Sequence, residues 1–213
     1  MNRILAFLNR RFGKKNDGSQ FSDFWLQKLA VKKVYDRESV FRPFIEDKKV
    51  LHIGCTDYPV FNPNSNLHLT ISKYVRELHG MDVDENGIKE LSNHFNGIYF
   101  SRLKDAMQNE YDTVLVPETI EHVDNVQLFL SEIDQLKAQT FIITGPNAFQ
   151  KVFDNCLNEE TGIFTEAIHP DHNCWYSPYT LKNVIERFTS LKVDEIYLCL
   201  NEIMIVCVCS KKV

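Results

Sequence analysis

The sequence predicts an α/β fold built on a doubly wound, mostly parallel sheet whose last strand runs antiparallel. Three observations carry this. Short apolar runs rich in Val, Ile and Leu recur from residue 48 onward, namely KKVLHIG, ELHGMDVD, GIYF, YDTVLVP and TFIITGP. Unbroken runs of this kind belong to strands buried on both faces. Helix-like stretches at 67–76, 86–95, 102–109 and 122–138 separate them, and that alternation is what parallel strands with crossover helices require. Finally, residues 193–200 and 202–209 read as two strands that meet at a turn through Asn201 and Glu202, which leaves room for an antiparallel hairpin and nothing longer.

Taken in order, the chain starts with a basic amphipathic stretch. Ile4, Leu5, Phe7, Leu8 and Phe12 interleave with Arg3, Arg10 and Arg11, and Lys14 and Lys15 follow. A helix of that pattern lies on an anionic membrane surface or packs on its own domain or a second subunit. After the polar break Gly13–Gln20, residues 21–45 carry aromatics and aliphatics at helical spacing, for one or two helices. We therefore expect a helical appendage over 1–45 and one domain over 46–213, since no Pro/Gly/Ser-rich linker divides the remainder. Near the end, Ser177-Pro178 is a helix-start signal for a helix at about 179–188.

Composition narrows the partners. The net charge is −5, the first fifteen residues carry +5 with no acid, and the rest is therefore at −10. An acidic body argues against long nucleic acid, whose phosphates need clustered Lys and Arg. No apolar run approaches the roughly 20 residues that span a bilayer. Six cysteines without CxxC spacing read as free thiols of a reducing cytoplasm, so the expected location is cytoplasmic, with peripheral membrane contact through residues 1–15 as the open alternative.

In open α/β sheets ligands sit beyond the carboxyl ends of the strands. The residues at those ends are Gly54, Cys55, Thr56 and Asp57, then Asp82, Val83 and Asp84, then Pro117 and Glu118, then Gly145, Pro146 and Asn147. Asp82, 28 positions beyond Gly54, is placed to accept both hydroxyls of a ribose or to cap the following helix, for which Asp84 is equally placed. The loop after the first strand lacks the repeated glycines that bring a pyrophosphate against a backbone. A cofactor with one nucleoside and no phosphate, such as S-adenosylmethionine, does not need them.

At VLHIGC, GMDVDENGI, YDTVLVPETIEHVDNVQLFL and GPN, in that order, the chain resembles the class I S-adenosylmethionine-dependent methyltransferases, particularly the group with E-x-I-E-H after the fourth strand. The resemblance covers about residues 48–200. It implies a Rossmann-like seven-stranded sheet, Gly54 and Cys55 beside the methionine part of the cofactor, and Asp82 on the ribose, with Thr56, Val83, Pro117 and Glu118 completing the cofactor site. His52 stands where the family often has an acid, Thr56 replaces the second glycine of its G-x-G, and only Asp105 follows the third strand.

In PETIEH, a helix from Glu118 would put Glu118, Glu121 and His122 on one face. Such a set suits Mg²⁺ or Mn²⁺, or else Glu118 meets the cofactor, Glu121 serves a helix N-terminus and His122 sits in the cleft. HPDHNCW adds His169, Asp171 and His172. E-x-x-E-H with a later H-x-D-H resembles metal-assisted small-RNA 2′-O-methyltransferases, which implies His172 as the fourth ligand; the first part also resembles quinone-biosynthesis O-methyltransferases. HPDHNCWYSPYTL resembles, more loosely, small methyltransferases of glycan assembly. Trp175, Tyr176 and Tyr179 stack on an acceptor or belong to the core. The expectation is methyl transfer to an oxygen or nitrogen of a small or saccharide-like acceptor, with His122, His169 or His172 as general base. The alternative is a catalytically silent scaffold of the same fold.

Overall fold

The structure is a computed structural model and describes residues 26–57, 60–153 and 155–212. The basic segment 1–15 and the start of the 21–45 stretch lie outside the described residues. Among the described residues ten strands and six helices follow in order: β1 (Lys32–Lys33), α1 (Arg37–Ile45), β2 (Lys49–Ile53), α2 (Leu67–Ile71), β3 (Glu77–Met81), α3 (Glu85–Ser92), β4 (Ile98–Phe100), α4 (Leu103–Ala106), β5 (Glu110–Val116), α5 (Val126–Ile133), β6 (Lys137–Pro146), β7 (Cys156–Leu157), β8 (Phe164–Thr165), α6 (Pro178–Phe188), β9 (Leu191–Cys199) and β10 (Met204–Lys211).

Eight strands form one sheet in the order β1-β9-β10-β6-β5-β2-β3-β4. β2 to β6 pair in parallel, and β10 is antiparallel to both its neighbours, β6 and β9. The expected doubly wound sheet with an antiparallel last strand is therefore present. Its eighth member, β1, comes from a stretch expected to be helical. Lys32 and Lys33 instead pair with Tyr197 and Leu198, covering backbone groups that the edge strand β9 would otherwise leave unpaired. The helical spacing read over 21–45 belongs, among the described residues, to α1 alone, which Asp36 caps through Glu38 N and Ser39 N.

Alternation along the strands divides the core into two layers. Leu51 and Ile53 of β2, with Val114 and Val116 of β5, face α4, α5 and α6, where Leu103, Leu130, Ile133, Leu181 and Ile185 are buried. Val50 and Leu115 face the other way, onto Val40, Phe41 and Ile45 of α1 and Leu67 and Ile71 of α2. Each such side chain, fully buried, contributes about 1.5–3 kcal/mol. The hairpin joining β9 to β10 is longer than expected, and Leu200, Asn201 and Glu202 all have positive φ (52°, 57° and 69°). Asn147, just past β6, holds this left-handed turn: its Nδ2 donates to Glu202 O and its backbone N to Ile203 O, both at 2.7 Å.

Between β6 and α6 lies an insertion that carries the small hairpin β7–β8. All six cysteines are free thiols. Among the described residues no helix is long and apolar enough to cross a membrane.

Candidate active site

β2 has β3 on one side and β5 on the other, so successive connections leave it in opposite directions and a crevice opens at its carboxyl end. Gly54 turns the chain there with φ +74°, and a Cβ on it would lie 2.4 Å from Thr119 Oγ1. The glycine is thus required by close approach of the loop after β5. Thr56 follows, and its backbone N and Oγ1 both donate to Asp82 Oδ2, at 3.1 and 2.9 Å. Asp84 N donates to Asp82 Oδ1 at 3.0 Å. Helix capping falls to Asp84, which accepts from Asn86 N and Gly87 N. Asp82 is left held at the end of β3 with its carboxylate at the crevice.

Beside it, Val83 is 80% exposed, an apolar side chain with nothing over it. Asn66 donates to Cys55 O at 3.1 Å and to Asp57 Oδ2 at 3.0 Å, bracing the loop from behind. Cys55 itself is turned inward. Its side chain is fully buried, its sulfur would lie 2.8 Å from a Cβ on Gly80, and burial pushes the thiol pKa well up. Only its backbone is available to a ligand. Pro117 is buried, with its carbonyl 2.9 Å from Thr119 Oγ1.

PETIEH is not helical, contrary to the shared-face expectation. Glu118 takes φ +45°, its N donates to Thr144 Oγ1 at 2.8 Å, and residues 120–122 form a turn closed by His122 N to Thr119 O at 3.1 Å. Ile120 drops into the core, fully buried. Helix α5 begins at Val126, capped by Asn125, and not at residue 122. Glu118 remains solvent-accessible although ringed by protein; that crowding raises its carboxyl pKa, and the Arg37 charge opposes the rise.

Glu121 lies beside Gly145, is 1% exposed, and has its pKa pushed up to about 8, first by burial and then by the Glu118 charge. Its Oε2 has no hydrogen-bond partner, and its Oε1 is 4.0 Å from His172 Nε2. The insertion is stitched to this turn: Asn173 N donates to Glu121 O at 2.7 Å and Asn173 Nδ2 to His122 O at 3.0 Å. His122, His169 and His172 are thereby gathered, with ring centroids 4.6 Å apart for 122–172, 5.5 Å for 122–169 and 5.6 Å for 169–172. Burial holds the imidazoles of His122 and His172 below the usual histidine range; the His169 charge lowers His122 further, and His122 and His169 together lower His172.

Of the expected metal set, His122 and His172 come together, while Glu118 and Glu121 stand outside the group whose donor atoms are mutually close; His169 takes their place. Tyr176 is a core residue, 5% exposed, and Tyr179 opens α6 at the surface. Trp175 lies against His172 at 6.4 Å, with its Nε1 buried and unpartnered. Glu121 Oε2, His172 Nδ1 and Trp175 Nε1 are half of the six buried, unpartnered side-chain atoms among the described residues. Buried polar atoms are ordinarily paired with protein or water, and these three lie around the same His172 ring.

No protein-family model and no curated protein sequence matches the chain. Solved structures do. A SAM-dependent methyltransferase from Aquifex aeolicus superposes with a TM-score of 0.58 at 15% identity, over 84% of this chain and 90% of its own. One from Archaeoglobus fulgidus gives 0.55 at 19%, over 99% and 100%. A chain of the Pnkp1/Rnl/Hen1 RNA repair complex gives 0.51 at 16%, over 99% of this chain and 48% of that one. At these identities the likeness establishes the fold, which is that of the class I methyltransferases.

Proposed function

We propose that this protein is an S-adenosylmethionine-dependent methyltransferase that methylates an oxygen or nitrogen of a small or saccharide-like acceptor. The observation that carries the reading is Asp82 at the switch point of this fold, fixed by Thr56 and Asp84 beside an uncovered Val83. A fixed carboxylate accepts ribose hydroxyls, and the apolar side chain next to it suits the face of an adenine. Gly54, Cys55 and Thr56 offer backbone to the methionine portion; Glu118 and Pro117 border the same crevice.

The cofactor, when bound, supplies an electrophilic methyl carbon on a sulfonium. The chain's own part is to hold the acceptor in line and take its proton, and orientation of this kind contributes several kcal/mol. His122 and His172, kept neutral by burial, suit proton acceptance at a ring nitrogen as the acceptor oxygen forms its bond to carbon. Trp175 Nε1 is a donor for an acceptor oxygen. The insertion, residues 148–176, has Lys151 as its only Lys or Arg against Asp154, Glu159, Glu160, Glu166 and Asp171, which favours a neutral hydroxylated acceptor over a polyanion.

A second reading, the silent scaffold, is favoured by one contact: Thr56 already places two donors on Asp82 Oδ2. Calorimetric titration with S-adenosylmethionine and S-adenosylhomocysteine, with NAD as control, separates the two. Micromolar binding of the first two alone, lost in a folded Asp82→Ala variant, is expected. Binding unchanged by that substitution refutes the ribose role, and no binding by folded, ligand-free protein leaves the scaffold.

A further inference from the structure

We propose that His122, His169 and His172 form a three-histidine cation site on the acceptor side of the crevice, one that takes Zn²⁺ or another imidazole-seeking divalent metal. The inference rests on the position of the proposed acceptor site and departs from the oxygen-rich Glu118/Glu121/His122/His172 set. One nitrogen from each of the three rings lies within 4.8 Å of the other two. Zn–N bonds of about 2.0–2.1 Å in a tetrahedral site put the nitrogens about 3.3 Å apart. Since His122 and His169 are exposed, rotation of their side chains suffices to close the difference.

The arrangement around the rings points the same way. A histidine that binds metal through one nitrogen regularly offers its other N–H to a carboxylate or a backbone carbonyl, which fixes the tautomer and the ring. Two of the three have a carboxylate within 4.0 Å of one ring nitrogen. His172 Nε2 lies 4.0 Å from Glu121 Oε1, and its Nδ1 is buried and unpartnered. His169 Nδ1 is 3.9 Å from Asp171 Oδ2 and accepts from the Asp171 amide at 3.3 Å, so ligation through Nε2 requires Nδ1 to exchange that amide for the carboxylate. Glu121, 99% buried with an idle oxygen, is thus explained as the support of His172 rather than as a ligand.

Three neutral nitrogens select against Mg²⁺, which prefers oxygen, and suit zinc and its neighbours. A three-protein-ligand site keeps a position open, and a cation there supplies Lewis acidity for an acceptor oxygen, taking over the part that His122 and His172 play as proton acceptors when no cation is bound.

The test uses the full chain, stripped with chelator and titrated with Co²⁺ followed by visible absorption and with Zn²⁺ against a chromophoric chelator, alongside calorimetric titration with S-adenosylmethionine. One cation per chain is expected, with the d–d bands of a four-coordinate, nitrogen-rich site. His169→Ala and His172→Ala are each expected to weaken it at least 100-fold, and Glu118→Gln to leave it unchanged; circular dichroism checks that each variant is folded. Absence of cation binding by the folded wild-type protein overturns the proposal, as does loss on Glu118→Gln with retention in His169→Ala. Cofactor binding without cation binding defeats this site and leaves the methyltransferase reading standing; the reverse result supports the site and defeats that reading.

Discussion

The acid sensitivity of the fold is written into one pair of side chains. His52 of β2 and His68 of α2 are 1% and 0% exposed, stacked at 5.3 Å with Nδ1 to Nδ1 at 3.2 Å. One proton fits between those nitrogens, and neither Nε2 has a partner. Burial lowers the His68 pKa to about 3; burial and then the His68 charge hold His52 well below the usual histidine range. An unfolded histidine titrates near 6.5. As pH falls below that value the unfolded chain gains two protons that the native state refuses, so stability is lost, by about 1.4 kcal/mol per pH unit for each ring. Between pH 7.5 and pH 5.0 the loss is about 2 kcal/mol for each ring and about 4 kcal/mol for the pair, and it continues down toward the folded pKa values. Other groups titrate too, and Glu121, raised to about 8, works in the opposite sense, so the pair is isolated by difference. Urea unfolding of the wild type and of a His52→Leu/His68→Met variant at both pH values should show the wild type losing about 4 kcal/mol more than the variant. Curves that fall in parallel, within about 1 kcal/mol, refute the argument.

Two further outcomes test the scaffold of the crevice. Gly54→Ala should cost about 2–3 kcal/mol in urea unfolding, from the left-handed φ and the 2.4 Å approach to Thr119 Oγ1; adding Thr119→Ala should recover the steric part and leave about 1 kcal/mol. Ser177→Ala removes the capping box of α6, in which Ser177 and Thr180 each satisfy the other's backbone N–H, and should cost about 1 kcal/mol, seen as a lowered midpoint at unchanged slope.

The crossover strands were legible because each is a continuous apolar run whose alternate residues serve two different layers; Val114, Leu115 and Val116 of β5 are all fully buried on opposite faces. The two-residue strand β1 was not, because what makes Lys32 and Lys33 a strand is the waiting edge of β9, a tertiary fact with no local signal. The β7–β8 hairpin did leave a trace. In CLNEETGIFT, Asn158 Oδ1 accepts from Glu160 N and Thr161 N, and Gly162 takes φ +70°, an Asx turn closed by glycine between two apolar pairs.

At the site, the residue types were visible and the grouping was not. Helical spacing would have placed Glu118, Glu121 and His122 together, yet a helix starting at Glu118 would have left Thr144 Oγ1 without the Glu118 N–H it accepts and Ile120 without its buried seat. The chain instead bends at Glu118, which leaves that side chain solvent-accessible and turns Glu121 inward past Gly145. His169 joins the cluster through Asn173, whose two hydrogen bonds to Glu121 and His122 reach across some fifty residues of sequence. Asn173 thus ties the segment that carries His169 and His172 to the turn that carries His122. Asn173→Ala, by releasing the insertion from the turn, is expected to loosen the three-histidine group while leaving Gly54, Thr56 and Asp82 in place, so that cation affinity falls and cofactor affinity stays; an equal loss of both would mean that the two halves of the crevice are built as one.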